Sequence, residues 1–317
     1  MHTWVIVIII VVCAIVAALI ITGVYAGNFA AYRNINMNRF LMNQLAPGDM
    51  DKTSHVADLG EEMRDHVDEE YYIKDRDGLR LHAYFIKGDP ESDVYVLCSH
   101  GYRDPIGGLE FAEKAPIWQS RGYNLLMVDH RAHALSEGKF LSFGLHESDD
   151  CIEWLEFLKE KFGEDIRFIL HGQSMGAAIV LQMSCKETLP ENVKGIIGDC
   201  GYTNFYSQCQ GLLPVPKFVE AIILTSANVY LRFCHRIDMK KADSLEAVKK
   251  ASVPILFIHG DGDTFVPVRM SREMYASCSS KDKQLEIFEG ATHCMSYNSE
   301  PERYTRLAHE FADRILS

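Results

Sequence analysis

No Asp, Glu, Lys or Arg occurs before Arg33, and the nine cysteines of this 317-residue chain form no C-x-x-C pair. The second absence excludes the paired-thiol zinc and redox motifs, which need two thiols one turn apart. An odd number of cysteines also fits a reducing compartment better than a disulfide framework. Basic residues are in deficit: 32 Lys and Arg face 44 Asp and Glu, for a net charge of −12. Without clustered Lys and Arg to neutralise phosphates, no nucleic-acid partner is expected. The acidity keeps the domain soluble. Repeats and low-complexity tracts are missing too, which excludes solenoids and arrays.

The uncharged start is itself a feature. From Trp4 to Tyr25 nearly every residue is apolar, and about 20 apolar residues in helical form match the hydrocarbon core of a bilayer. A buried core helix is usually shorter and carries a polar face. A cleaved secretory signal would use Val24-Tyr25-Ala26 as its small-residue site, but the positive n-region of such signals is missing. Residues 1–26 are therefore expected to be one uncleaved transmembrane anchor. Arg33 and Arg39 follow it, and the positive-inside tendency places the rest of the chain on the cytoplasmic side. Two charges leave the side of the membrane open.

Residues 27–68 read as a connector with helical pieces, broken at Pro47-Gly48-Asp49. From residue 69 to 317 the pattern is that of one α/β domain. Two β-rich runs, Glu70–Lys74 and Leu79–Ile86, flank Asp75-Arg-Asp-Gly78, a hairpin signal. Apolar runs at Val94–Ser99, Tyr123–Asp129, Arg167–His171, Val193–Asp199, Pro254–His259 and Gln284–Phe288 then alternate with helical candidates. These are Leu109–Arg121, Leu145–Phe162, Ser174–Lys186, Val268–Ser277 and Glu302–Leu316. Such alternation predicts a mostly parallel sheet covered on both faces. Between about 202 and 250 there is no β-rich run, and helical stretches at Phe218–Cys234 and Leu245–Lys250 predict a small lid above the sheet. Phe218–Cys234 is apolar enough to suggest a second span, but Glu220 and Arg232 limit its apolar core.

The sharpest motif is Gly172-Gln-Ser174-Met-Gly176, which follows a strand and opens a helix. This is G-x-S-x-G in the strand–turn–helix setting that exposes a nucleophilic serine. Glycines two residues either side let the chain approach itself, and the helix start aims free N–H groups at developing negative charge. A hydroxyl needs a base, and the base needs an orienting carboxylate. Of thirteen histidines, His82, His171, His259 and His309 sit inside or at the ends of regular elements. His293 instead follows the last strand, on a loop returning over the carboxyl ends of the sheet, where such sheets bind ligands. Two aspartates, Asp261 and Asp263, compete for the acid in His259-Gly-Asp-Gly-Asp-Thr-Phe-Val-Pro267. Asp263 lies deeper in the loop, Asp261 suits turn hydrogen bonds, and Asp199 is a third candidate. An oxyanion needs two donors; the backbone N–H groups of Met175 and of Tyr102, in Ser99-His-Gly-Tyr102, are the candidates.

From about Tyr71 to Leu316 the chain resembles the α/β-hydrolase superfamily, in particular its bacterial serine aminopeptidase-like and lysophospholipase-like branch. The matching pieces are Ser99–Tyr102, Asp129-His-Arg-Ala-His-Ala-Leu-Ser-Glu-Gly138, Gly172–Gly176, His259–Pro267 and Gly290–His293. The resemblance implies an α/β-hydrolase fold with a helical lid, a triad in the order Ser174, Asp263, His293, and no metal or organic cofactor. It strengthens Asp263 over Asp261. In relatives the second piece usually reads D-x-R-G-H-G-x-S; here Ala132 and Ala134 replace the glycines, predicting a stiffer or differently shaped loop. The expected chemistry is hydrolysis of carboxylic esters through an acyl-enzyme. Aminopeptidase or amidase activity is one alternative, and a non-catalytic binding role on the same fold is another. Phe218, Ile222, Ile223 and Leu224 are candidates for an apolar acyl pocket, and the anchor suggests a lipid-like or acylated small-molecule substrate.

Overall fold

The structure, a computed structural model, describes residues 2–33, 58–102 and 106–317. Arg39 and the Pro47–Asp49 break lie outside the described residues. Eight strands form one sheet: β1 (Glu69–Lys74), β2 (Arg80–Ile86), β3 (Val94–Ser99), β4 (Asn124–Asp129), β5 (Arg167–Gln173), β6 (Val193–Asp199), β7 (Ile255–Gly260) and β8 (Lys283–Phe288). Their order is β1-β2-β4-β3-β5-β6-β7-β8. β1 and β2 run antiparallel, and β3 to β8 are parallel. The hairpin turns at Gly78, which takes φ +84°, while Asp75 Oδ1 accepts the Leu79 N–H at 2.7 Å.

The inner strands are apolar throughout because both faces are covered. Along β3, Tyr95 and Leu97 enter one core, while Val94, Val96 and Cys98 enter the other, as a period of two requires. The first core holds Trp154 and Leu158 of helix α2 (Glu147–Phe162) and Ile179 and Met183 of α3 (Met175–Met183). The second holds Trp118 and, from the C-terminal helix Pro301–Leu316, Tyr304, Leu307 and Phe311. Helix α2 begins with Glu147, Asp149 and Asp150 and ends with Lys159 and Lys161 before Gly163, charges that complement the helix dipole at both ends.

The stretch expected as one helix over Leu109–Arg121 is a 3₁₀ segment, Gly107–Glu113, followed by a short helix, Ala115–Gln119. Pro116 explains the break: its ring favours a first turn and denies a backbone donor. The lid is present, dominated by helix α4 (Lys217–His235). Helix α1 (His2–Ala31) is the described helix long and apolar enough to cross a membrane. It continues past residue 26, so residues 27–31 belong to it and not to a connector. Its last turns pack on α4, and Ala31 is fully buried in the first core.

Candidate active site

At the carboxyl end of β5 the chain turns sharply into α3. Ser174 takes φ +54° and ψ −116°, a region that costs a non-glycine residue about 1–3 kcal/mol and persists only where its surroundings over-determine it. They do so here. The Ser174 N–H donates to the Asp199 carbonyl at 2.8 Å. A Cβ on Gly172 would collide with the Gly176 carbonyl, and one on Gly176 with the Ser99 carbonyl. Both glycines are needed for close backbone approach. Met175 opens α3, so its N–H belongs to the first turn, where no helical acceptor exists.

Three loops converge on the serine. Ser174 Oγ lies 2.8 Å from His293 Nε2, and His293 Nδ1 lies 2.7 Å from Asp263 Oδ2. These partners assign the tautomer: Nδ1–H donates to the carboxylate, and Nε2 accepts from the hydroxyl. Asp263 Oδ1 accepts the N–H groups of Phe265 and Val266 at 2.9 and 2.8 Å. Burial by itself would raise the Asp263 pKa; the charge of His293 and hydrogen bonds from His259 and His293 outweigh it and hold the carboxyl well below its usual range. The Gly101 loop completes the ring, since a Cβ on Gly101 would lie 3.6 Å from Ser174 Cβ.

The competing candidates are occupied elsewhere. Asp261 Oδ1 accepts the Gly290 N–H at 2.6 Å, tying its loop to the one that carries His293. Asp199 is fully buried and receives the Tyr304 hydroxyl at 3.0 Å. His82 pairs with Asp129, His171 with Tyr304, and His259 with Ser271 and Val266 while its Nε2 also faces Asp263 Oδ2 at 3.2 Å. In the loop after β4, Ala132 and Ala134 take positive φ, +60° and +36°. It holds a left-handed geometry that costs alanine but not glycine.

Several groups at the site carry no local sequence signal. The Glu110 carboxylate accepts the Gly101 N–H and, at 3.0 Å, the Gln173 amide. Buried Lys114 in turn donates to Gln173 Oε1. Burial raises the Glu110 pKa against the pull of these donors and of Lys114. Cys200 and Cys294 meet with their sulfurs 3.6 Å apart, within 4.8 Å of a His293 nitrogen. As a metal site this set fits poorly. Both His293 nitrogens are already bonded, and burial pushes the Cys200 thiol far up, away from the thiolate a metal needs.

An apolar cavity of about 190 Å³ opens beside Ser174. Ile223 and Leu224 line it, as does Ala227 on the same face of α4. Phe218 and Ile222 do not. The buried stripe of α4 runs Glu220, Ile223, Leu224, Ala227, Asn228, Leu231, and helical periodicity turns Phe218, 70 % exposed, to the opposite side. Ala26, Gly27, Phe29 and Ala30 of α1 form another part of the wall.

The serine aminopeptidase S33 family model matches residues 90–240 and 217–301 of the chain. Among curated relatives, the uncharacterized protein YqkD of Bacillus subtilis is 24 % identical over 265 residues, covering 83 % of this chain and 85 % of YqkD. Lysophosphatidylserine lipase ABHD12 of Danio rerio is 24 % identical over 205 residues, 61 % of this chain and 49 % of that protein. The structure of the Pyrococcus furiosus esterase Pf2001 superposes with a TM-score of 0.63 at 20 % identity, covering 80 % of this chain and 96 % of the esterase. At that identity the likeness is one of fold.

Proposed function

Because the chain belongs to the serine aminopeptidase S33 family of α/β hydrolases, we propose that it is a membrane-anchored serine hydrolase cleaving carboxylic esters. The observation that carries this is the unbroken hydrogen-bonded chain from Ser174 through His293 to Asp263, beside an apolar cavity. His293 takes the Ser174 proton as the hydroxyl attacks the ester carbonyl, and Asp263 steadies the imidazolium. The N–H groups of Met175 and Tyr102 receive the oxyanion, the first from a helix N-terminus and the second from the loop that Glu110 braces through Gly101. His293 then returns the proton to the leaving alcohol. Water, activated by the same histidine, releases the acid from the acyl-enzyme.

Ester is favoured over aminoacyl amide by the cavity and by Glu110. An aminopeptidase needs a carboxylate to receive the substrate's α-ammonium group; Asp263 is engaged by His293, and Glu110 by Gly101 and Gln173. The lipase name of the ABHD12 relative is consistent with an acylated, lipid-like substrate. α1 serves as the single anchor. The test is labelling of the detergent-solubilised chain with a fluorophosphonate probe, together with turnover of p-nitrophenyl esters of graded length and of aminoacyl amides. The parent labels, Ser174→Ala does not, and esters turn over faster than amides. An unlabelled parent sinks the enzymatic proposal, and faster amide release replaces esterase by peptidase.

A further inference from the structure

Gly101 lies between the nucleophile and a carboxylate. A Cβ at this position would stand 3.6 Å from Ser174 Cβ and 3.2 and 3.3 Å from the two Glu110 carboxylate oxygens. The β3–β5 ladder ends with Ser99 opposite Gly172. The oxyanion loop and the serine elbow both lie past that last pair, and there a relay of side chains joins them. The buried Lys114 ammonium donates to Gln173 Oε1. Gln173 Nε2 donates to Glu110 Oε1 at 3.0 Å, and Glu110 Oε2 accepts the Gly101 N–H.

The ends of this relay fix the direction of its middle. An ammonium only donates and a carboxylate only accepts, whereas an amide exchanges donor for acceptor by a half-turn. Glu110 accepts at both oxygens, as the ionised form does. Between Lys114 and Glu110 the Gln173 amide therefore has one satisfied orientation, and that orientation leaves Glu110 Oε2 to Gly101. Charge-assisted bonds of this kind are roughly twice as strong as neutral ones. The ammonium has a second effect. A carboxylate beside a forming oxyanion opposes it, and the Lys114 charge acts on Glu110 to offset that. The Tyr297 ring centroid lies 5.8 Å from the same ammonium, a cation–π contact that helps to hold it there.

We propose that Lys114, Gln173 and Glu110 are positioning residues for the reaction: the ammonium sets the direction of the Gln173 amide, and the amide sets Glu110 against Gly101. Tyr102, whose backbone N–H is the second oxyanion donor of the proposed mechanism, directly follows Gly101. Gln173 directly precedes the nucleophile and Met175, the first donor. The relay thus ties the two halves of the oxyanion hole to each other. The proposal rests on ester hydrolysis at Ser174.

The experiment is a double-mutant cycle on the detergent-solubilised full chain, read as kcat and KM for p-nitrophenyl butyrate. In Glu110→Gln the new amide can accept from Gly101 only by turning its NH₂ against that of Gln173, which Lys114 keeps from reversing. kcat should fall about 30-fold with KM within about threefold, since a displaced oxyanion donor costs the transition state and not the ground state. Lys114→Met leaves the Glu110 charge without its counter-charge, and kcat should fall roughly tenfold. With both substitutions present Gln173 is free to turn. Its oxygen then accepts from the new amide, whose own oxygen accepts from Gly101, and kcat should recover to within about threefold of the parent. Losses that multiply in the double variant, or that appear in KM instead of kcat, overturn the proposal. If either single variant fails to fold, Gln173→Met carries the test: kcat about tenfold down at unchanged KM supports the relay, and parental kcat overturns it. A parent that hydrolyses no ester, or that Ser174→Ala matches, overturns the catalytic assignment and the relay with it.

Discussion

Two regions of this molecule meet at Ser174 and are built on opposite principles. The loops at the carboxyl ends of β5, β7 and β8 form a polar, over-determined frame in which nearly every group is held by a named partner. Asp263 accepts two backbone N–H groups besides His293, and Asp261 binds one loop to the next. The cavity wall, where α1 meets α4, is apolar and relies on shape. It depends on glycines that admit a neighbouring backbone and on residues such as Ile223, Leu224 and Ala30 that merely exclude water. Directional bonds fix atoms to fractions of an ångström, as proton transfer requires. Dispersion and burial tolerate sliding, as admission of a flexible acyl chain requires. Damage to the frame should therefore appear in kcat for every ester, and damage to the wall in selectivity among esters.

The largest expected effect breaks the frame without removing its atoms. Asp263→Asn keeps the shape but favours the wrong His293 tautomer, and kcat should fall by roughly 10³ to 10⁴ on short and long esters alike. Asp261→Asn should leave kcat within a few-fold and cost about 1 kcal/mol of stability through its bond to Gly290. Steady-state kinetics and thermal melts on the two variants decide; the reverse pattern would exchange their roles.

A second expectation concerns pH. Burial opposes charge on His293, but the Asp263 carboxylate bonded to the ring outweighs it, raising its pKa well above 6.5. Only the neutral ring can accept the Ser174 proton, so kcat/KM should climb with pH through a titration above the ordinary imidazole range. Removing the Asp263 charge should move that limb to lower pH. A limb that stays in place in Asp263→Asn assigns the titration to another group.

The smallest effect tests how much strain the frame carries. Ala132→Gly relieves a left-handed alanine worth about 1 kcal/mol and should raise Tm by roughly 2 °C with ester kinetics unchanged. A lower Tm would mean that the loop is held by contacts of the alanine methyl.

The frame was largely legible in the sequence because its parts are local motifs. Ser174 lies between glycines that its own turn requires, and His293 and Asp263 lie on loops directly after strands. The alternation of apolar runs with amphipathic segments was enough to place those strands. The misplacements have physical causes. Pro116 split a helix that hydrophobic pattern alone joins. Phe218 looked like a pocket residue because it is apolar and near the lid, but the phase of α4 turns it outward. Glu110 and Lys114 were missed because their local pattern is that of ordinary helix and turn residues, and Gln173, inside the serine motif, carries no mark of its partners there. Only β3 and β5, paired across more than 60 intervening residues, bring them together.

The sequence by itself determined the α/β alternation, the serine elbow with its candidate base and acid, and a first helix long and apolar enough for a membrane. Each follows from periodicity or from residues adjacent along the chain, where steric rules act without help. Tertiary structure alone decided that Gly23 and Gly27 receive the backbone of α4, that Ala30 lies one hydrogen bond from Tyr102, and that Phe218 faces away from the cavity. Those outcomes depend on packing between segments 72 to 200 residues apart. A small or apolar side chain carries no directional mark of its partner until the fold supplies one.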